Sequence, residues 1–376
     1  MKKRIFTPGP TPLPEIVKLS QAEDIIHHRT QQFSEVLKEV SQGLKYVFQT
    51  NNPVLTFAAS GTGAMEGAVA NLLSSGDKVL VIRGGKFGER WAEICQSFGI
   101  EVTNIDIEWG TAVDPSIVEK KLKENQDIRA VFTQLVETST GVVYDIESIA
   151  KIVGKTSAIL VVDAISGLGA QPLSTDEWGI DVVVGGSQKA LMLPPGLSFV
   201  TLSQRAWKNV ENSNLPRYYW DFKKAKKSLD KKQTPYTPAV SLICALKESL
   251  RLIKEEGWEN VINRHSVLAR ATREAISALG LSIFGHPASN VLTSVLVPSG
   301  VNEKELRKKM QDKYGVLVAG GQAKLSGKII RIAHLGWMDS LDVITAISAL
   351  EMSLKDLGYR INLGEGVRAA EEVLRG

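Results

Sequence analysis

The sequence predicts an α/β fold: a mostly parallel, buried sheet layered with helices. Three observations carry that expectation. Short β-branched runs recur through the first half of the chain: PVLTFAA (53–59), KVLVIR (78–83), VTNIDI (102–107), AVFTQLV (130–136), AILVVDA (158–164) and DVVVGGS (181–187). Most are near-continuously apolar rather than alternating, which is the pattern of strands covered on both faces. Helical stretches at 63–74, 87–98, 114–124 and 145–153 separate many of them, so the connections are crossovers and the strands run parallel. Finally, 376 residues at 43% hydrophobic and 23% charged are enough for a large core, and exclude a disordered or fibrous chain.

Taken in order, residues 1–20 are rich in proline (MKKRIFTPGPTPLP at the start) and read as an extended arm, neither regular helix nor central strand. Over 33–49, Val36, Leu37, Val40, Leu44 and Val47 recur at helical spacing. After the strand–helix alternation the rhythm breaks at 203–238, with the basic run FKKAKKSLDKKQ (222–233), read as a solvated face, and the turn-rich TPYTP (234–238). A long helical pattern then runs from 239 to 279, and Gly257 within EEGWEN marks a joint. SVLVP (294–298), a helix at 302–313, VLVAGG (316–321), KIIRIAH (328–334) and a final helix from 339 form a smaller α/β unit. The expected division is an arm (1–20), a large domain (21–255) and a small C-terminal domain (256–376), with the boundary inside 250–265.

Charge and composition narrow the function. Lys plus Arg number 45 against 41 acidic residues, a net +4, too little excess for a nucleic-acid partner. Aromatics are 6%, too few for base-stacking platforms. The two cysteines, Cys95 and Cys244, give neither disulfide framework nor metal cluster; both read as core residues in a reducing compartment. No run of about 18 apolar residues spans a membrane, and neither terminus carries a recognisable address, so the expectation is a cytoplasmic protein.

Four segments could carry chemistry. Ser60-Gly61-Thr62-Gly63 follows a buried strand and opens a helix, where free N–H groups and the helix dipole suit a phosphate; a tight turn with no ligand is the plain alternative. It is no dinucleotide fingerprint, because Glu66 replaces the third glycine, and Gly154-Lys155-Thr156 lacks the leading glycine of a nucleotide loop. Asp163 ends an apolar strand, where ligands of parallel sheets sit; it could partner a cationic ring nitrogen or merely cap a helix. Lys189, at another strand end among small residues, would lose its charge on burial and favour a Schiff base, unless it is simply exposed. Arg331 stands inside an apolar strand of the second unit, where burial demands a partner: a substrate carboxylate or a structural salt bridge. His27-His28-Arg29 lack metal-ligand spacing and read as surface or capping residues.

These segments, together with Thr7-Pro8-Gly9-Pro10, Tyr46-Val47-Phe48-Gln49-Thr50, Glu137-Thr138-Ser139-Thr140-Gly141-Val142, Gly186-Ser187-Gln188-Lys189-Ala190-Leu191 and Pro194-Pro195-Gly196, give the chain a resemblance over nearly its whole length. It resembles the class V, fold-type I pyridoxal-phosphate aminotransferases, in the alanine–glyoxylate and serine–pyruvate branch. Each motif is weak alone; their order and separations make them specific. The resemblance implies a mostly parallel sheet of the seven-stranded type and a smaller C-terminal domain. It implies that Lys189 carries pyridoxal 5'-phosphate as a Schiff base and that Asp163 keeps the ring nitrogen protonated. Ser60, Gly61, Thr62 and Gln188 would hold the phosphate, Phe87 would stack on the ring, and Thr138 would stand beside it. Arg331, with Gly9, would bind the substrate, whose carboxylate the arginine grips. Family homodimers share their active sites, lending a Tyr and a Thr to the neighbour's phosphate; Thr237 matches the Thr, while Thr234 stands where the Tyr belongs.

The activity so implied is transamination between a small amino acid (alanine or serine) and a small 2-oxo acid (glyoxylate or pyruvate), with no metal. A related class V aminotransferase of serine–glyoxylate type is the nearest alternative. A cysteine desulfurase would need a nucleophilic cysteine in the small domain, and residues 256–376 contain none. A non-enzymatic protein that has kept the fold is the remaining reading, and intact Lys189, Asp163 and Arg331 speak against it.

Overall fold

The computed structural model of the chain describes residues 2–376. Its larger sheet has seven strands in the order Val54–Phe57, Ser198–Leu202, Val182–Gly186, Ile159–Asp163, Ile128–Gln134, Lys78–Arg83, Glu101–Asp106. Only Ser198–Leu202 runs against its neighbours; every other pairing is parallel. The apolar runs explain why both faces are covered. Leu80, Ile82, Val131, Leu160, Val162 and Val183 enter one core, while Val79, Val81, Phe132, Ile159, Val161 and Val184 enter the other. Alternate residues of one strand thus serve opposite layers, which a parallel sheet under two helical layers requires.

The second sheet has four strands in the order Arg4–Phe6, Val316–Gly320, Ile329–Ala333, Leu292–Leu296. Its core joins Phe6, Val318, Ile330 and Ile332 to the helices Trp258–Ala278, Glu303–Tyr314, Ser340–Asp356 and Glu365–Leu374. Backbone bonds fasten this unit to the larger one: Ser289 N donates to Gly141 O at 2.9 Å and His286 N to Gly110 O at 2.8 Å.

Several expectations need correcting. The arm at 1–20 is not without regular structure. Arg4–Phe6 pairs in parallel with Val316–Gly320 as an edge strand, ending before the prolines that cannot extend a ladder, and Glu15–Leu19 forms a short helix with Val17 buried. The stretch 203–238 holds two helices, Gln204–Asn212 and Phe222–Leu229. In the second, capped by Asp221, Phe222 and Ala225 are buried while Lys223, Lys224 and Lys227 face out. Ser198–Leu202, absent from the six runs read in the sequence, supplies the seventh strand. The long pattern from 239 is two helices, Val240–Glu256 and Trp258–Ala278, parted by Gly257 at a φ of 88° that disfavours any side chain. The last helix is likewise two. No helix among the described residues is long and apolar enough to cross a membrane.

Candidate active site

The parallel strands put several loops at one sheet edge, as this topology always does at the carboxyl ends. Asp163 closes the strand Ile159–Asp163 and is 5% exposed. Its Oδ1 accepts from Ile165 N at 2.8 Å. Burial, with Glu137 nearby, pushes its pKa up to about 7 against the pull of that bond, Lys189 and Arg90. Lys189, three residues beyond Val182–Gly186, is 8% exposed. Burial pushes it down to about 8, against the attraction of Asp163 and with Arg331 and Arg90 adding repulsion. Burial thus moves both groups toward their neutral forms against their mutual attraction, a kind of perturbation that clusters at functional sites.

The N-terminal segment closes over Lys189. Pro8 O accepts from Lys189 Nζ, and Thr11 Oγ1 donates to Lys189 O at 3.0 Å. Gly9 lies so close that a Cβ there would stand 2.7 Å from Lys189 Nζ. Its φ of 129°, which side chains disfavour, calls for glycine there.

Thr138 joins three parts. Its Oγ1 lies 2.5 Å from Ser166 Oγ, in the loop after Asp163, and its carbonyl accepts from Arg331 Nη1 at 2.9 Å. Arg331 Nε donates to Gly320 O at 2.9 Å. The guanidinium is 6% exposed, and burial lowers its pKa to about 10. Its partners are carbonyls alone; among the described residues no carboxylate pairs with it, so the salt-bridge alternative finds no support.

The helix Gly61–Leu72 opens at Ser60, whose side chain makes no capping bond. A Cβ on Gly61 would meet Ile165 Cδ1 at 2.4 Å, and one on Gly186 would meet Gln188 Oε1 at 3.0 Å and Gly61 Cα at 3.6 Å. Gln188 Oε1 is buried with no hydrogen-bond partner. Phe87 sits half-buried in the first turn of Lys86–Ser97. That turn is stapled by the fully buried Glu137, which accepts from Phe87 N (3.2 Å), Gly88 N (3.1 Å) and Ser139 Oγ (2.5 Å). Burial raises the Glu137 pKa while those donors restrain it.

Among the expected residues, these contacts join Gly9 to Lys189, Gly61 to the loop after Asp163 and to Gly186 beside Gln188, and Thr138 to that loop and to Arg331; Phe87 is held by Glu137, next to Thr138, and Ser60 and Thr62 flank Gly61 at the helix start. Thr237 is exposed and makes no hydrogen bond to them within this chain. The Tyr236 ring instead stacks on Tyr218 and Tyr219. His27 and His28 pack ring to ring at 4.7 Å. Cys95 is buried, its thiol pushed up to about 12, whereas Cys244 is half-buried rather than core. Sequence reasoning missed Glu137, Ser166, Ile165 and Arg90 as site residues. The available signals were Ser166, three residues past Asp163, and Arg90, one helical turn past Phe87; Glu137 carried none.

Comparison with known proteins bears on the family and the fold. The family model described as "Aminotransferase class-V" matches residues 18–335. The soluble hydrogenase small subunit of Synechococcus sp. is 42% identical, covering 99% of this chain and 98% of that protein. The serine–glyoxylate aminotransferase of Methylorubrum extorquens is 37% identical over 100% of this chain and 96% of its own length. Among solved structures, ureidoglycine–glyoxylate aminotransferase from Bacillus subtilis superposes with a TM-score of 0.96 at 27% identity, over 100% of this chain and 99% of that one. The seven-stranded sheet with one antiparallel strand, its linked loops and these likenesses lead to one conclusion: the chain belongs to the class V aminotransferases of fold type I and is an aminotransferase.

Proposed function

We propose that this enzyme moves the amino group of a small amino acid, alanine or serine, to a small 2-oxo acid, glyoxylate or pyruvate, using pyridoxal 5'-phosphate held at Lys189. One observation carries the reading: a buried arginine without an acid partner, in the electrostatic field of buried Lys189, itself within that of Asp163. An unpaired buried guanidinium is costly, and a carboxylate common to donor and acceptor completes it.

The residues suit the cofactor. Gln188 Oε1 is an orphaned buried polar atom, and Gly61 and Gly186 leave clear a cradle that Cβ atoms would fill. Ser60, Gly61 and Thr62 would hold the phosphate at the helix start, Phe87 and Ile165 would flank the ring, and Thr138 would stand at its edge. When bound, the cofactor supplies an electron sink for charge developing at the substrate α-carbon. Asp163 would hold the ring nitrogen's proton, the cation in turn favouring the carboxylate form. Lys189 Nζ, its pKa lowered to about 8, is neutral often enough near neutral pH to attack a carbonyl carbon and to take and return the α-proton. Pro8 O fixes where that nitrogen points. Arg331 orients the α-carboxylate, and the N-terminal segment with Gly9 keeps water out.

We also propose a homodimer, in which Thr237, exposed within one chain, serves the neighbour's phosphate. The deciding experiment is half-reaction spectroscopy. Purified enzyme is mixed with single amino acids, and conversion of the bound cofactor to its amino form is followed. Alanine or serine should drive it, and glyoxylate or pyruvate should reverse it. Silence with both donors, alongside conversion by another amino acid, would overturn the substrate assignment.

A further inference from the structure

One charged side chain near Lys189 has no role in the scheme above. Arg90 stands on the helix Lys86–Ser97, one turn beyond Phe87. Its Cζ lies over the Phe87 ring, 4.8 Å from the centroid, and its Nη1 donates to Thr62 Oγ1 at 3.1 Å. The adjacent acids are committed elsewhere: Glu89 and Glu93 both pair with Lys86. Among the described residues no carboxylate pairs with Arg90; a hydroxyl and an aromatic face take up its guanidinium. Its charge nevertheless reaches the pocket, where it disfavours protonation of both Asp163 and Lys189.

The direction of the Arg90–Thr62 bond matters. An arginine only donates, so the Thr62 oxygen is the acceptor and its own hydrogen is turned away from Arg90. Thr62 therefore offers a donor in the first turn of Gly61–Leu72, beside the uncapped start at Ser60. Donors alone, with a guanidinium behind them and a positive helix end beneath, suit a doubly charged anion.

We propose that Arg90 is the positioning residue of the phosphate subsite. Through Thr62 it fixes the hydroxyl that donates to the cofactor's phosphate, and through Phe87 it ties that grip to the ring-stacking face. The proposal rests on reading Lys189 as the cofactor lysine.

The test uses full-length apo-protein, wild type and the variants Arg90→Gln, Arg90→Lys, Thr62→Val and Arg90→Gln/Thr62→Val. Each is titrated with pyridoxal 5'-phosphate and with pyridoxal, which lacks the phosphate, and each is melted to check its fold. Losing one charge-assisted bond weakens binding about 10-fold or more. Arg90→Gln should show that loss for the phosphorylated aldehyde and little change for pyridoxal. Arg90→Lys should recover part of it. The double variant should be no weaker than the poorer single variant, since the two residues act in series. Equal losses for both aldehydes, or additive losses in the double variant, overturn the proposal. Unchanged cofactor affinity with a raised KM for a dicarboxylic amino donor also overturns it, and would make Arg90 a substrate group. If the wild-type protein binds neither aldehyde, the reading of Lys189 fails, and the proposal with it.

Discussion

Exchanging Arg331 for lysine separates a substrate anchor from a structural bridge. In the structure Arg331 spends Nε on Gly320 O and one Nη1 hydrogen on Thr138 O, both at 2.9 Å. Nη2 and the second Nη1 hydrogen remain for a ligand, the paired edge that matches a carboxylate. Lysine keeps the charge but cannot serve two carbonyls and a carboxylate in that plane. Losing one charge-assisted bond costs about 1.5–3 kcal/mol, or about 10-fold to 150-fold in kcat/KM at about 1.36 kcal/mol per decade. The loss should appear for the amino donor and the oxo acceptor alike, because both present the same group to one arginine. The assay is steady-state kinetics with each substrate varied, beside a melting curve. Some loss of melting temperature is expected, since a backbone bond goes as well, and by itself decides nothing. Unchanged kcat/KM for both substrates in a destabilised Arg331→Lys enzyme would refute the anchor and leave only the bridge.

Three other outcomes are expected. Borohydride reduction of the holoenzyme followed by peptide mapping should label Lys189, with reaction of the apo-protein with pyridoxal 5'-phosphate speeding up as pH rises through about 8, the value to which burial lowers this lysine; a label elsewhere sinks the assignment. Asp163→Asn should cut kcat by about two orders of magnitude while moving substrate affinity little, and a near-normal rate would remove Asp163 from the chemistry. His265 and His334 are buried and pushed from 6.5 down to about 3, so between those values each holds fewer protons folded than unfolded and lowers stability as pH drops, by up to about 1.4 kcal/mol per pH unit each, with Asp163, raised to about 7, acting in the opposite direction; a His334→Gln protein whose stability follows pH as the wild type's does contradicts it.

The sheet was legible because a strand buried on both faces has no polar side to show: Leu80 and Val81 point to different cores, yet both must be apolar. Lys189 and Asp163 were legible for the converse reason, as charges placed where an apolar strand ends. Ser198–Leu202 escaped because five residues after a proline-rich turn carry no periodicity of their own; its register comes from the strands on either side. Arg4–Phe6 escaped because its partner lies more than 300 residues away, and no local pattern encodes such a pairing. Glu137 was hidden by its neighbours: a carboxylate among Val136, Thr138 and Ser139 gives no hint that it staples a helix start near residue 87. Arg90 lies one turn past Phe87, but no local pattern encodes its bond to Thr62, 28 residues earlier.

The pairing of Arg4–Phe6 with Val316–Gly320 also explains how the site is held in register. Two residues past that edge strand, Pro8 O receives the Lys189 ammonium. At the far end of its partner strand, Gly320 O receives Arg331. The group that aims the lysine and the group that aims the arginine therefore hang from adjacent strands of one small sheet, while the lysine itself and Thr138 belong to loops of the large one. Thr138 closes the circuit, its carbonyl on Arg331 and its hydroxyl on the loop after Asp163.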